Sequence, residues 1–429
     1  MINKIKRLFN TEDKKRLLSN FLSLSILQGA NYILPLITLP YLVRVLGPEK
    51  FGLIMFAQAF IQYFIILTDY GFNLSATREI SINRDNKDKI SEIFSSVMII
   101  KFSLMLISFI ILTLIVFSFE KFRKEWLVYY LTFGMVVGQV LFPIWFFQGI
   151  EKMKYITFLN ILAKSIFTVA IFIFVHQVSD YIYVPLLNSL GFIIAGILAL
   201  WIVFKDFEIK FTKASFESLI DQLKEGWHIF VSTVAISLYT VSNTFILGIF
   251  TNNTIVGYYS AAEKIVRAVQ GLIIPISNAI YPYISKLVKE SEERAVEFLR
   301  KLTVFVGSFS FSVSIILFMF TDLIVITFLG KKFENSIIVL KILSFLPFII
   351  SLSNIFGIQT MLTFNYKKAF SRILISASVL NILLDFILVP FYKHIGISFA
   401  VLISESFVTI SMFIFLYKKN IKLLEGKIV

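Results

Sequence analysis

The 429-residue chain is 57% hydrophobic and only 16% charged, contains 48 phenylalanines, and has a mean hydropathy of +0.83. A soluble domain carries about 25% charged residues and lacks repeated apolar runs of about 20 residues, so this composition excludes a soluble globular protein. The net charge of +14 does not indicate nucleic-acid binding, because most basic residues lie in short loops between apolar runs. The chain has no cysteine, which excludes disulfides, thiolate nucleophiles and cysteine metal sites.

Twelve apolar runs are long enough to cross a bilayer. The first follows a basic N-terminal segment and is too long for a signal-peptide core, so we expect it to remain as the first span. No connecting loop is long enough for an independent soluble domain, and the largest, at about 205–227, has the length of a short amphipathic helix. The predicted spans are 17–43, 51–71, 95–118, 126–148, 155–175, 182–204, 228–250, 256–284, 302–329, 336–360, 369–391 and 396–417.

The distribution of basic residues predicts the orientation of these spans. With both termini in the cytoplasm, 28 of the 41 lysines and arginines fall in inside loops and eight fall in outside loops. This asymmetry follows the positive-inside rule, and an odd number of spans would break it. The sequence therefore predicts a multi-pass protein with both termini cytoplasmic.

Two stretches of the first half recur in the second half. Aligning Gly52 with Gly257 places the second span on the eighth, and FLNILAKSIF in span five resembles VLNILLDFIL in span eleven. Both alignments place spans one to six on spans seven to twelve in the same orientation, which indicates a parallel repeat about an axis along the membrane normal. The polar residues that coincide are Gln58 with Glu263, Gln62 with Arg267, and Lys164 with Asp385.

This repeat predicts an all-α integral membrane protein of twelve transmembrane helices in two six-helix lobes, 1–215 and 216–429, around a central cavity. Glu263, Lys264 and Arg267 interrupt the apolar stretch of the eighth span, although a charge at the bilayer centre costs about 2.5 to 3.5 kcal/mol. They lie either at the outer surface, with the span beginning only at Ala268, or on the wall of the cavity. Positions four apart share a helix face, and both halves carry polar pairs there, which favours the cavity.

Four segments of the chain resemble the polysaccharide-transporter branch of the multidrug/oligosaccharidyl-lipid/polysaccharide exporter superfamily. They are RVLGPEKFG (44–52), LTDYGFNLSATREIS (67–81), GYYSAAEKI (257–265) and NILLDFILVPFYKHIGISFAVLISE (381–405). The resemblance implies a six-plus-six bundle that moves an undecaprenyl-diphosphate-linked oligosaccharide, an O-antigen, capsule or exopolysaccharide repeat unit, from the cytoplasmic to the outer leaflet by alternating access. It also implies a bacterial cytoplasmic (inner) membrane location and a glycan polymerase with chain-length machinery as protein partners.

In the related lipid II flippases, an acidic and a basic residue near the start of span eight lie on the cavity wall. Glu263 and Lys264 fall at those positions here, and Arg267 extends the basic patch by one turn. Those flippases have fourteen spans, which disfavours a lipid II substrate for a twelve-span chain.

A cavity that holds a lipid diphosphate-sugar needs cations for the phosphates and amides for the sugar hydroxyls. Amides in membrane helices also serve as interhelical hydrogen-bond partners, so each amide candidate has a purely structural alternative. The candidate substrate-binding residues are Lys264 and Arg267 for phosphate, Glu263 as their orienting partner, Gln58 and Gln62 for sugar or water, and Asn31 and Gln28 as further wall residues.

A second group of ionisable residues is assigned to coupling or gating. Lys164 and Asp385 are candidates to bias lobe closure or to bind a coupling ion, H⁺ or Na⁺, and the alternatives are a satisfied polar pair or side chains that point into a wet region. Asp69 belongs to the same group, although it lies near a predicted span end, as Glu405 does, where interfacial placement is ordinary. Lys101 is close enough to its span start to snorkel. No cofactor and no metal site are expected, because the three histidines have no ligand-like spacing.

Two other function classes remain as alternatives. A cation-coupled multidrug exporter of the same superfamily would need an acidic cavity, whereas the charges within the predicted spans are mostly basic. A membrane-embedded glycan polymerase would need catalytic residues on a sizeable outward loop, and the sequence has neither such a loop nor a known enzyme motif. We therefore expect a transporter and not an enzyme.

Overall fold

The computed structural model of the chain describes residues 12–271 and 274–424. The basic residues Lys4, Lys6 and Arg7, the C-terminal residues 425–429, and residues 272–273 within the predicted eighth span lie outside the described residues. Within the described ranges the fold is all-helical, and eight helices are long and apolar enough to cross a membrane.

The described residues form seventeen α-helices. In chain order they are α1 (Glu12–Asp69), α2 (Phe72–Ile82), α3 (Lys87–Ser118), α4 (Glu120–Arg123), α5 (Trp126–Leu141), α6 (Ile144–Gly149), α7 (Met153–Phe174), α8 (Tyr183–Asp206), α9 (Phe216–Thr240), α10 (Ser242–Phe250), α11 (Asn253–Gly271), α12 (Ile274–Glu290), α13 (Glu292–Met319), α14 (Thr321–Ile324), α15 (Ser336–Leu343), α16 (Leu346–Asn354) and α17 (Lys367–Lys418). Short 3₁₀ turns lie at Val178–Ile182 and Lys331–Phe333, and π-helical segments lie at Val325–Leu329 and Ile355–Leu362.

The first and last helices are each too long for one crossing. α1 has 58 residues and α17 has 52, whereas about 20 helical residues span the hydrocarbon core. Each helix contains one residue outside the helical region, Gly47 at φ 70° and Lys393 at φ 49°. These breaks fall in the predicted gaps between spans one and two and between spans eleven and twelve.

The chain divides into two compact units. Unit 1 comprises Met1–Pro35 and Ala57–Val234, and unit 2 comprises Leu36–Phe56 and Ala235–Val429. The segment around the Gly47 break therefore groups with the C-terminal residues, and α9 contributes to both units.

Unit 1 is built around buried aromatic rings from α3 and α6. Phe94 packs against Trp145 and Phe146, with ring centroids 5.5 and 5.9 Å apart, and all three side chains are inaccessible to solvent. Such pairs add about 0.5 to 1.5 kcal/mol each to the burial of their apolar surface. The start of α9 packs on the same unit, because Ser218 hydrogen-bonds Ser96 at 2.8 Å.

In unit 2, the part of α1 that follows Gly47 packs closely against α11. A β-carbon added at Gly52 would lie 1.8 Å from the Asn253 carbonyl oxygen, and one added at Gly257 would lie 2.1 Å from the Pro48 carbonyl oxygen. Only glycine permits such a backbone approach. The two glycines that the sequence alignment superimposes therefore lie at one helix–helix contact.

The regions predicted as spans seven and eight correspond to the helices α9 to α12. One break, at Thr251, falls in the predicted gap between the two spans, and another, at Val241, lies within predicted span seven. Ionisable residues within membrane spans usually face protein or water and not lipid. The charged residues Glu263, Lys264 and Arg267 lie on α11.

Candidate substrate and coupling site

Glu263 and Arg267 form an ion pair on one face of α11. Nη2 and Nε of Arg267 donate to Oε1 of Glu263 at 2.8 and 3.0 Å. The acid lies four residues before the base, which is the favourable direction along a helix. The Arg267 side chain is 54% exposed and that of Glu263 is 18% exposed, so the guanidinium is accessible to a second anion while Glu263 orients it.

The ion pair lines a cavity of about 150 Å³ inside unit 2. A water molecule occupies about 30 Å³ in the liquid, so a cavity of this size accommodates a few waters or one phosphate-sized group. The wall carries two carboxylates, Glu263 and Glu405, and one guanidinium, that of Arg267. Its other polar residues are Asn243, Tyr259 and Gln270.

Lys264 does not line this cavity. Its side chain is half-buried, and within the described part of the chain it has no ion-pair or hydrogen-bond partner. The described cavity wall carries more carboxylates than cations, so the excess of positive charge that the sequence predicts is not found on the wall, and Lys264 brings these four charged groups only to formal neutrality.

Unit 2 also contains a group of buried polar residues. Tyr259, which lines the cavity, is 1% exposed. Asp385 and Asn381, one turn apart on α17, are wholly buried, and their side-chain polar atoms have no hydrogen-bond partner among the described residues. A buried carboxylate without a partner is strongly unfavourable when ionised, so Asp385 is a candidate for protonation or for cation binding.

The other candidate residues lie in unit 1. Nζ of Lys164 on α7 donates to Oδ1 of Asn31 on α1 at 2.5 Å, which brings together two residues that the sequence assigns to different roles. Gln28, Gln58 and Gln62 are half-buried, and no hydrogen bond of their side chains is found among the described residues.

Asp69 ends α1 and pairs with Lys101 of α3. The Lys101 ammonium donates to Asp69 Oδ1 at 3.0 Å, and the Asn73 amide donates to Asp69 Oδ2 at 2.9 Å. The Lys101 side chain is only 2% exposed, so the expectation that it snorkels to the membrane surface is wrong. The pair was missed because its partners are 32 residues apart and no local pattern connects them.

Replacing Lys101 by methionine is expected to destabilise the folded protein by about 3 kcal/mol, because it leaves the Asp69 carboxylate without its buried counter-ion. The measurement is the thermal unfolding midpoint of the purified protein in detergent. Lys89→Met on the same helix is the control, because the Lys89–Glu92 pair is 46% and 38% exposed and such pairs contribute at most about 1 kcal/mol. Equal midpoints for the two variants would contradict a structural role for Lys101.

Residues 17–288 match the family described as "Polysaccharide biosynthesis protein". The chain belongs to this family. A relative from Escherichia coli (strain K12), named "Putative O-antigen transporter", is 41% identical over 96% of this chain and 99% of its own length. A relative from Shigella dysenteriae with the same name is 30% identical over 92% of this chain and 98% of its own length.

Solved structures show that this member of the polysaccharide biosynthesis protein family has the fold of the multidrug and lipid exporters. An inward-facing multidrug resistance MATE family transporter of the MOP superfamily superimposes with a TM-score of 0.67 at 16% identity, over 94% of this chain and 98% of that one. The lipid II flippase MurJ, in an inward closed conformation, gives the same TM-score and identity over 94% of this chain and 87% of its own. The resemblance to polysaccharide transporters that the sequence predicts is confirmed by the family match and the two relatives, and these solved structures share the fold.

Several residues of the site in this family member were not among the sequence-based candidates. Asn243 and Tyr259 line the cavity, and Asn381 shares a buried helix face with Asp385. Asn381 is the asparagine of the recurring Leu-Asn-Ile-Leu stretch, so the repeat itself was the available signal. Tyr259 lies four residues before Glu263, and the helical period places both on one face.

Proposed function

We propose that the protein is a flippase that moves an undecaprenyl-diphosphate-linked oligosaccharide, a surface glycan repeat unit, from the cytoplasmic to the outer leaflet. The observation that carries this proposal is the 41% identity, over nearly the whole of both chains, to a protein named as an O-antigen transporter. The fold shared with a lipid II flippase supports it. In this proposal the protein lies in the bacterial cytoplasmic (inner) membrane with both termini cytoplasmic, and glycan polymerase and chain-length machinery act on the product.

The physical task of such a flippase is to move an anionic, hydroxylated head across a hydrocarbon core. Without help, the phosphates would lose their hydration, which is prohibitively costly. We assign Arg267 and Lys264 to the diphosphate, because a guanidinium and an ammonium replace water with charge-assisted hydrogen bonds. Glu263 keeps the Arg267 guanidinium oriented, and the amides of Gln58 and Gln62 serve the sugar or its water shell. Alternating access would expose these groups to each side in turn.

Asp385 is the group that we assign to the coupling ion, H⁺ or Na⁺. Its buried carboxylate and the Asn381 amide oxygen, one turn apart, are oxygen donors of the kind that a hard cation requires, and protonation would satisfy the carboxylate equally well. Asn243 and Ser404 provide further buried oxygens without partners in the described part of unit 2, and α10, which carries Asn243, packs against α17. The helix α11, which carries Tyr259, also packs against α17.

A cation-coupled multidrug exporter is the second candidate function. It is favoured by the cavity wall, where two carboxylates face one guanidinium, because an acidic site suits a cationic drug. Transport of a cationic dye that depends on Glu405 and not on Lys264 would favour this candidate over the flippase.

The double substitution Arg267→Gln and Lys264→Gln is expected to reduce surface glycan by at least about tenfold in a strain that depends on this protein, since each charge-assisted hydrogen bond to phosphate contributes about 1.5 to 3 kcal/mol. The measurement is the amount of surface glycan relative to membrane-embedded protein. Lys331→Gln and Lys332→Gln together form the control, because they remove the same charge from an exposed 3₁₀ turn that lines neither this cavity nor any other described here. Normal surface glycan at normal abundance of the Arg267→Gln, Lys264→Gln variant would contradict the assignment.

A further inference from the structure

A second polar cleft lies where α12 ends and α13 begins. It has a volume of about 420 Å³ and is lined by residues of both helices. Two of its lining residues are aromatic, and their rings, those of Tyr283 and Phe298, pack edge to face with centroids 5.0 Å apart. None of its residues lines the cavity of Glu263 and Arg267, so the cleft is separate from the proposed transport site.

Two of the three cations that line the cleft form ion pairs with its carboxylates, and the third has no ion-pair partner among the described residues. Lys286 pairs with Glu290 at 3.6 Å, and Lys301 pairs with Glu297 at 2.8 Å, each across one helical turn. Arg294 lies between these pairs on the cleft wall, and in the described ranges its guanidinium has no ion-pair or hydrogen-bond partner. With three cations and two carboxylates, the cleft has a formal charge of +1 that is carried by Arg294.

An apolar groove continues from this cleft along the exposed face of α13. The groove has a volume of about 510 Å³, and Lys301 lines both the groove and the cleft. Beyond Lys301 the groove is lined by Val304, Phe305 and Phe309, which are 41%, 73% and 56% exposed. A charged cleft followed one helical turn later by an exposed apolar groove matches the charged headgroup and the acyl chain of a membrane lipid. Lys301 lines both, so its aliphatic chain can lie along the groove while its ammonium stays in the cleft.

We propose that the cleft and groove bind one anionic phospholipid with a singly charged headgroup, whose phosphate contacts Arg294 and whose acyl chain follows Val304, Phe305 and Phe309. The formal charge of +1 matches one phosphodiester, and a prenyl diphosphate would bring at least one charge that the cleft does not balance. A zwitterionic headgroup would need a carboxylate for its ammonium, and Glu290 and Glu297 are both paired with lysines. In the proposed orientation, where the α12–α13 junction is an inside loop, the lipid belongs to the cytoplasmic leaflet.

The test is native mass spectrometry of the purified full-length protein in a non-ionic detergent with equal amounts of phosphatidylglycerol and phosphatidylethanolamine. We expect the protein to retain phosphatidylglycerol preferentially, and Arg294→Gln to reduce that preference about tenfold, as loss of one charge-assisted phosphate contact predicts. Lys289→Gln is the matched control, because Lys289 is exposed on α12 but does not line the cleft. Arg294→Lys is expected to restore part of the preference.

Three outcomes would overturn the proposal, provided that the variants unfold at the wild-type temperature. The first is an unchanged lipid preference in Arg294→Gln, which would mean that the retained lipid is non-specific. The second is an equal loss in Lys289→Gln, which would indicate a diffuse charge effect. The third is Arg294-dependent displacement of phosphatidylglycerol by farnesyl diphosphate at equal concentration, which would assign the cleft to a prenyl diphosphate. If Arg294→Gln misfolds, Phe305→Gln provides the second variant, with loss of the retained lipid expected and full retention contradicting the groove assignment.

Discussion

Replacing Gly52 by alanine is expected to destabilise unit 2 by about 3 kcal/mol or more and to abolish surface glycan export. The added β-carbon would lie 1.8 Å from the Asn253 carbonyl oxygen and 2.5 Å from the Gly257 amide nitrogen. Both are backbone atoms of α11, so no single side chain can move to relieve the clash, and the two helices must separate along their contact. Overpacking of this kind typically costs 1 to 3 kcal/mol and occasionally more.

The comparison for this prediction is Gly307→Ala in α13. A β-carbon there meets only the Leu352 Cδ2 at 3.4 Å, which is a flexible side chain at an ordinary distance, so we expect little change. Thermal unfolding in detergent and protein abundance in the membrane measure the effect on stability, and surface glycan measures transport. A Gly52→Ala protein as stable as Gly307→Ala would show that α1 and α11 do not approach as closely as described.

The local features of the fold could be predicted because they depend on short-range patterns. The Gly-Pro pair at residues 47–48 marks the break of α1, and the α1–α11 contact coincides with glycines that the internal alignment had paired. The break of α17 falls at Lys393, where a left-handed φ is unusual for a lysine, and the sequence indicated only a gap between two apolar runs. The grouping of Leu36–Phe56 with the C-terminal unit depends on contacts between residues more than 180 positions apart in the sequence. No local sequence pattern predicts such contacts.

The candidate site shows the same division between local and long-range information. The Glu263–Arg267 pair follows from helical spacing, and the structure gives the expected geometry. The contacts Lys164–Asn31 and Lys101–Asp69 join different helices, and the snorkelling rule gave the wrong placement for Lys101 because it considers only distance from the span end. Whether a buried ionisable group finds a partner is a property of the packed helices, so the isolation of Asp385 could not be predicted from its own helix.

Asp385 is the residue whose environment gives the second large expected effect. It is wholly buried and, among the described residues, its carboxylate accepts no hydrogen bond. Asparagine has nearly the same shape but cannot be charged, so Asp385→Asn removes the cost of burying an anion while retaining the packing. We therefore expect the variant to be as stable as the wild type or more stable, because replacement of buried charges by neutral groups is often neutral or stabilising.

Transport should respond in the opposite direction to stability. If Asp385 holds the coupling cation, Asp385→Asn should abolish ion-driven transport of a lipid-linked oligosaccharide in proteoliposomes, whether the gradient applied is of H⁺ or of Na⁺. Asp322→Asn is the matched control, because Asp322 is 60% exposed and pairs with Lys341 at 2.8 Å, so both stability and transport should change little. If Asp385 has a coupling role, the variant keeps or gains stability and loses gradient-dependent transport. If the carboxylate has a structural role, the variant loses stability. Gradient-dependent transport at the wild-type rate in Asp385→Asn would show that the coupling ion binds elsewhere.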